Sequence, residues 1–201
     1  KVGDILEMDI IVFEGDDYKL EKKEIILQGQ DYYKVRNKFI NFENIDYQII
    51  GGMVIMELAD NHFTYFKEKE KTYKNILKFN RIDEFIESKL IITKIIKGSS
   101  LGEDNIFLAP CILDEVNGIP VNTLSELKDA LPKFKINNGH KYISFLTEHN
   151  KFIILDIGKM KEEEKFLSKK FNYEITDYTK RLLGFYDSNK VKPTPAPTME
   201  E

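Results

Sequence analysis

Hydrophobic and polar positions change period several times along the chain, and the changes outline its elements. Leu6, Met8, Ile10 and Val12 recur at every second position, the pattern of a strand. Lys23-Glu-Ile-Ile-Leu27 predicts its partner, with Glu14-Gly15-Asp16-Asp17 as the turn. Residues 28–45 are a polar and aromatic connector without a clear period, and 49–58 are an apolar run opened by Gly51-Gly52 that predicts a buried strand. Residues 61–70 are charged and aromatic, and 73–87 carry Ile76, Leu77, Ile82, Phe85 and Ile86 roughly in helical phase.

The stretch 90–131 is the most informative. It reads as an Ile-rich strand, a Gly98-Ser-Ser-Leu-Gly102 loop, a strand ending at Val116, a tight turn, a short strand and a helix. The turn is Asn117-Gly118, a strong hairpin signal because both central residues of a type I′ turn need positive φ. Asn122-Thr123 starts the helix, with Glu126 at capping-box spacing from Thr123, and Leu124, Leu127, Ala130 and Leu131 share one face. Beyond it, 133–141 read as a loop around Asn138-Gly139, and 142–148 with 152–156 as a closing hairpin. Residues 159–171 predict a charged amphipathic helix, 177–183 a further helical turn, and the proline-bearing 187–201 a disordered tail.

Composition narrows the function classes. The 201 residues, 42% hydrophobic and 12% aromatic, suit one full domain plus smaller pieces. A net charge of −4 with mixed signs makes no electrostatic case for nucleic acid. No apolar run approaches the roughly 18 residues of a membrane span. Cys111 is the single cysteine, so no internal disulfide or zinc cluster is expected. The three histidines, His62, His140 and His149, have no metal-ligand spacing, and no cofactor motif occurs. Ser99 and Ser100 read as turn residues rather than nucleophiles.

Val116-Asn-Gly-Ile-Pro-Val-Asn-Thr-Leu-Ser-Glu-Leu127, following the Ile-rich strand and the Gly/Ser loop, resembles the permuted PDZ domain of Deg/HtrA serine proteases. One departure is the loop before the second strand, Ala109-Pro110-Cys111-Ile112, where the family usually has Gly-Asp. Tyr47-Gln-Ile-Ile-Gly-Gly-Met-Val-Ile-Met-Glu-Leu58 is similar to the entry of the second PDZ domain in the plant-type Deg subgroup, and 171–183 resemble that subgroup's C-terminal extension. Val2-Gly-Asp-Ile-Leu-Glu-Met-Asp-Ile-Ile-Val12 resembles the end of a preceding PDZ domain.

The resemblance implies a mainly β fold with helices, α+β, in the form of a permuted, partly open β-barrel or sandwich with a capping helix. It lays out 1–27 as terminal strands of a preceding PDZ domain, 28–45 as connector, 46–158 as the PDZ-like domain with an insertion near 61–87, 159–186 as a helical extension and 187–201 as the tail. The function implied is the non-catalytic PDZ region of a serine endopeptidase, acting in substrate recognition, regulation or oligomer assembly. Its partners would be polypeptide C-termini or unfolded segments, and a homo-oligomer would form through the parent protein. No nucleic acid and no membrane span enter.

A peptide would add as a strand to a sheet edge. Ile50, Gly51, Gly52 and Met53 are the expected carboxylate loop, with Val54, Ile55 and onward to 58 the edge strand. Leu124, Leu127 and Leu131 are the facing wall. The same residues also fit a simple bend and a core-facing helix. A stand-alone PDZ-like scaffold is the rival reading, and a small enzyme using Cys111 or a serine is a third.

Overall fold

A computed structural model of the protein describes residues 4–15, 17–26, 34–67, 76–81, 86–103 and 109–185. Among the described residues, strands β1 (Ile5–Glu14) and β2 (Asp17–Ile26) pair only with each other, Ile5 opposite Ile26 and Phe13 opposite Tyr18. The turn needs Gly15 at φ 70°.

The second sheet is antiparallel throughout. It holds β3 (Tyr47–Ile50), β4 (Met53–Glu57), β5 (Leu90–Ile95), β6 (Cys111–Val116), β7 (Ile119–Pro120), β8 (Lys135–Asn137), β9 (His140–Thr147) and β10 (Phe152–Asp156). The spatial order is β10-β9-β6-β5-β4-β3, with β7 beside β6 and β8 beside β9. Helices α1 (Asp60–Lys67), α2 (Ser100–Glu103), α3 (Leu124–Ala130), α4 (Ile157–Phe171) and α5 (Asp177–Leu182) complete it. The result is a mainly β fold with helices around a curled sheet, as the sequence predicts.

The sheet is buried on both faces at its centre. Leu90, Ile92 and Leu113 point to one core, which α3 closes with Leu124 and Leu127. Ile91 and Ile112 point to the other, closed by Phe63 and Phe66 of α1. That is why β5 and the start of β6 read as unbroken apolar runs rather than alternating ones.

Asn117 and Gly118 sit at φ 55° and 78°. Asparagine is tied in further: its Nδ2 donates to Ala130 O at 3.0 Å, and its Oδ1 accepts from Ser144 N at 3.0 Å. Thr123 caps α3 as predicted, its Oγ1 accepting from Glu126 N at 3.2 Å while Glu126 Oε2 accepts from Thr123 N at 3.1 Å.

Some expectations are corrected. The loop expected at 133–141 is a hairpin of β8 and β9, because Asn138 and Gly139, at φ 49° and 80°, form a two-residue turn. Residues 61–67, at the start of the expected insertion, are helical and form most of α1. Of the helix expected at 73–87, Ile76 and Leu77 are helical and 78–81 are turn and bend, while 73–75 and 82–85 lie outside the described residues, as do 1–3, 27–33, 68–70 and the 187–201 tail.

Candidate peptide-binding site

The expected carboxylate loop is the turn of the β3–β4 hairpin. Gly51 and Gly52 have φ 55° and 77°, and Ile50 pairs with Met53 directly across them. Such a two-residue turn lets the ladder start at once, so Tyr47, Gln48, Ile49 and Ile50 all face β4 residues. On its other side β4 pairs with β5, Met53 opposite Ile95 and Glu57 opposite Leu90. The expected edge from Val54 onward is therefore an interior strand. The place where a peptide would add beside β4 holds the chain's own β3.

The turn is also covered. Both glycines are buried. A Cβ on Gly51 would come within 2.5 Å of Leu155 and 3.5 Å of Met160, and one on Gly52 would collide with Ser99 and lie 3.9 Å from Leu167. Met160, Glu164 and Leu167 share one helical face of α4, so that face lies on the turn. Glu164 is buried there, its Oε1 accepting from the Tyr173 hydroxyl at 2.8 Å. Burial pushes its carboxyl up to about 7, against the opposing Tyr173 hydrogen bond and with help from the Glu163 charge. Burial raises the Tyr173 phenol as well.

Helix α5 crosses the outer side of β3. Thr179 Oγ1 accepts from Gln48 Nε2 at 2.5 Å and donates to Ile49 O at 3.3 Å. The Tyr178 hydroxyl donates to Lys128 O at 2.5 Å, which joins α5 to α3. Burial pushes that phenol up to about 12. Of the wall residues, Leu124, Leu127 and Leu131 are buried in the core with Ile50, Met53 and Ile55. Val54 is half-buried. The structure brings all nine expected residues near one another, but as packed interior rather than an open groove.

An open cleft of about 340 Å³ remains at the far end of β4. Ile45, Met56, Ala59 and Leu124 line it, with Lys38 and His62 among its polar residues. His62 Nδ1 accepts from Ala59 N at 2.9 Å, so the neutral ring carries its proton on Nε2. Burial lowers its pKa, which keeps the ring neutral.

Beside the cleft stands a braced turn. Arg36 Nη1 and Nη2 donate to the two oxygens of Glu43 at 2.9 and 2.6 Å, and Phe39 N donates to Glu43 Oε1 at 2.7 Å. Arg36 and the Phe39 amide hold the Glu43 carboxyl low, at about 2. The turn presents Ile40 and Phe42 to solvent, 76% and 90% exposed. Sequence reasoning missed this feature. The readable signal was Phe39-Ile40-Asn41-Phe42, an apolar cluster in a polar connector.

Each of the remaining candidates is buried or has a polar neighbour. Cys111 is buried, and desolvation pushes its thiol up to about 12, so it stays protonated. Ser99 is buried and donates to Ile96 O at 2.8 Å, and the Ser100 hydroxyl donates to Glu163. His140 Nδ1 lies 3.1 Å from Asp156 Oδ2, and His149 Nε2 lies 3.8 Å from Glu148. Among the described residues no group of three or more His, Cys, Asp or Glu could hold a metal ion. No helix among them is long and apolar enough to cross a membrane.

A family model for the PDZ domain matches residues 35–177. The match takes in the turn at Phe39, the whole β3–β10 sheet and α4, and so extends beyond the 46–158 expected for the domain. The chain belongs to the PDZ domain family, whose members bind peptide C-termini. No curated protein matches it.

Proposed function

We propose that this chain is the non-catalytic recognition region of a Deg/HtrA-type serine endopeptidase of the plant-type subgroup. Its task is to engage an unfolded segment of a substrate or regulatory polypeptide through the cleft at the end of β4. The supporting observation is the contrast between the two ends of the strand. At the Gly51–Gly52 end, β3, α4 and α5 fill the ligand space. At the Met56 end, an apolar cleft of about 340 Å³ stays open beside exposed Ile40 and Phe42. An apolar floor with a few polar groups at its rim suits one large apolar side chain and an adjoining backbone carbonyl. The Deg/HtrA assignment is supported by the Tyr47–Leu58 and Val116–Leu127 segments quoted above.

The β1–β2 hairpin fits the same reading as the last strands of a preceding PDZ domain. It exposes Ile5, Ile11, Phe13, Tyr18 and Leu20, and a two-stranded ribbon alone is marginal in water.

The test is fluorescence polarisation with labelled peptides bearing a phenylalanine or leucine, each made with a free and an amidated C-terminus. Affinity in the micromolar range, on the order of −8 kcal/mol, is expected for both forms, with loss on Ile45→Asp. Binding that requires the free carboxylate and ignores Ile45→Asp would mean that the glycine turn, not the cleft, is the site.

A further inference from the structure

The sheet ends at β10, whose only strand neighbour among the described residues is β9. Thr147 N donates to Lys151 O at 3.1 Å, and Phe152 stands opposite Leu146. This fixes the hydrogen-bond phase: Lys151, Ile153 and Leu155 turn their main-chain groups to β9, and Phe152 and Ile154 turn theirs to the open edge. The far side of β9 agrees, since Asn117 N donates to Ser144 O at 2.8 Å. Side chains alternate in step. Ile153 and Leu155 pack on the core, while Phe152 and Ile154 are 62% and 58% exposed. Edge strands are normally blunted by lysine, proline or a bulge. The segment Phe-Ile-Ile-Leu-Asp has neither residue, and its register with β9 is unbroken.

We propose that β10 pairs antiparallel with β10 of a second copy of this chain about a two-fold axis at Ile153. In that register the outward N–H and C=O of Phe152 meet those of Ile154 of the second copy, and the reverse pair repeats the contact. Apolar faces apolar on the outer surface, Asp156 falls opposite Asn150, and no like charges oppose. The alternatives in the same hydrogen-bond phase are worse. One places Phe152 opposite Asp156, already held by Lys159 N at 2.9 Å and His140 at 3.1 Å. The other places Ile154 opposite Asn150, where φ 53° ends the extended backbone. The strand is thus complementary to itself in hydrogen-bond phase, apolar pattern and charge, which a second copy of this chain supplies. Five residues and two apolar side chains per copy cover less than the roughly 1,200 Å² of a stable interface. The dimer is therefore weak, with a dissociation constant on the order of 0.1 mM.

Sedimentation equilibrium on the full 201-residue chain, from about 10 μM to about 1 mM to bracket a weak interface, tests this. Three forms are compared: the unaltered chain, Ile154→Lys, and Phe42→Lys in the exposed apolar turn beside the cleft. The unaltered chain and Phe42→Lys should move toward twice the monomer mass, and Ile154→Lys should stay monomeric with an unchanged melting temperature. Amide exchange read on the unaltered chain does not depend on any variant folding. Phe152 and Ile154 should slow with concentration, and Ile153 should not. A monomer at the highest concentration, association undiminished in Ile154→Lys, association abolished by Phe42→Lys, or concentration-independent exchange at Phe152 and Ile154 each overturns the proposal.

Discussion

The carboxyl of Glu164 is buried and accepts a 2.8 Å hydrogen bond from the Tyr173 hydroxyl, on the helix face that covers the Gly51–Gly52 turn. Its pKa is raised from 4.5 to about 7 by burial. In the unfolded chain the group ionises from about 4.5 upward, while the folded form keeps its proton until about 7. Stability therefore falls as pH rises through that window and levels off above it. The loss is on the order of 3 kcal/mol. Glu164→Gln should remove it, so the variant is more stable than the parent at pH 8 and similar to it at pH 4. Urea unfolding at both pH values checks this; parallel pH profiles for the two proteins would show that Glu164 is not the titrating group.

Two glycine substitutions should differ for a structural reason. Gly118, at φ 78°, has no atom within 4 Å of an added Cβ, so Gly118→Ala pays only backbone strain, about 1 kcal/mol. Gly118→Val, being β-branched, should cost more. Gly52→Ala adds a collision with Ser99 beneath α4 and should cost on the order of 2–4 kcal/mol. Denaturant midpoints rank the three variants; equal losses for the two alanines would mean Ser99 does not press on the turn.

Arg36 and Glu43 brace the turn that carries Ile40 and Phe42. Glu43→Gln should speed amide exchange at Phe39, whose N–H donates to the Glu43 carboxylate, without disturbing the rest of the sheet. Because the Glu43 pKa is lowered to about 2, the pair's contribution is complete above about 4.5 and fades as pH falls through about 2. Exchange at Phe39 that is the same in both proteins would remove the brace from the argument.

The hairpin's ladder is its own, separate from the larger sheet. A chain beginning at Lys34 should therefore keep the melting temperature of the parent. Differential scanning calorimetry decides it, and a clear drop would show that β1 and β2 support the PDZ fold.

The sequence by itself determined what depends on neighbours along the chain. The Asn117-Gly118 turn, the Thr123–Glu126 cap and the amphipathic helix over 159–171 were legible because turn chemistry, capping and helical period act within a few residues. The closeness of Gly51-Gly52 and the leucines of α3 was legible through family resemblance. Tertiary structure decided what fills the space between them. Both an open groove and a closed one need glycines at the turn and leucines on the helix. Only the immediate pairing of Ile50 with Met53, the closeness of Met160 and Leu167 from about a hundred residues away in the chain, and the reach of Thr179 to Ile49 show it to be closed. The cleft at Met56 is likewise a product of segments distant in sequence, Ile45, Ala59 and Leu124. A local pattern fixes which face of an element is apolar; it does not fix which distant segment comes to cover that face.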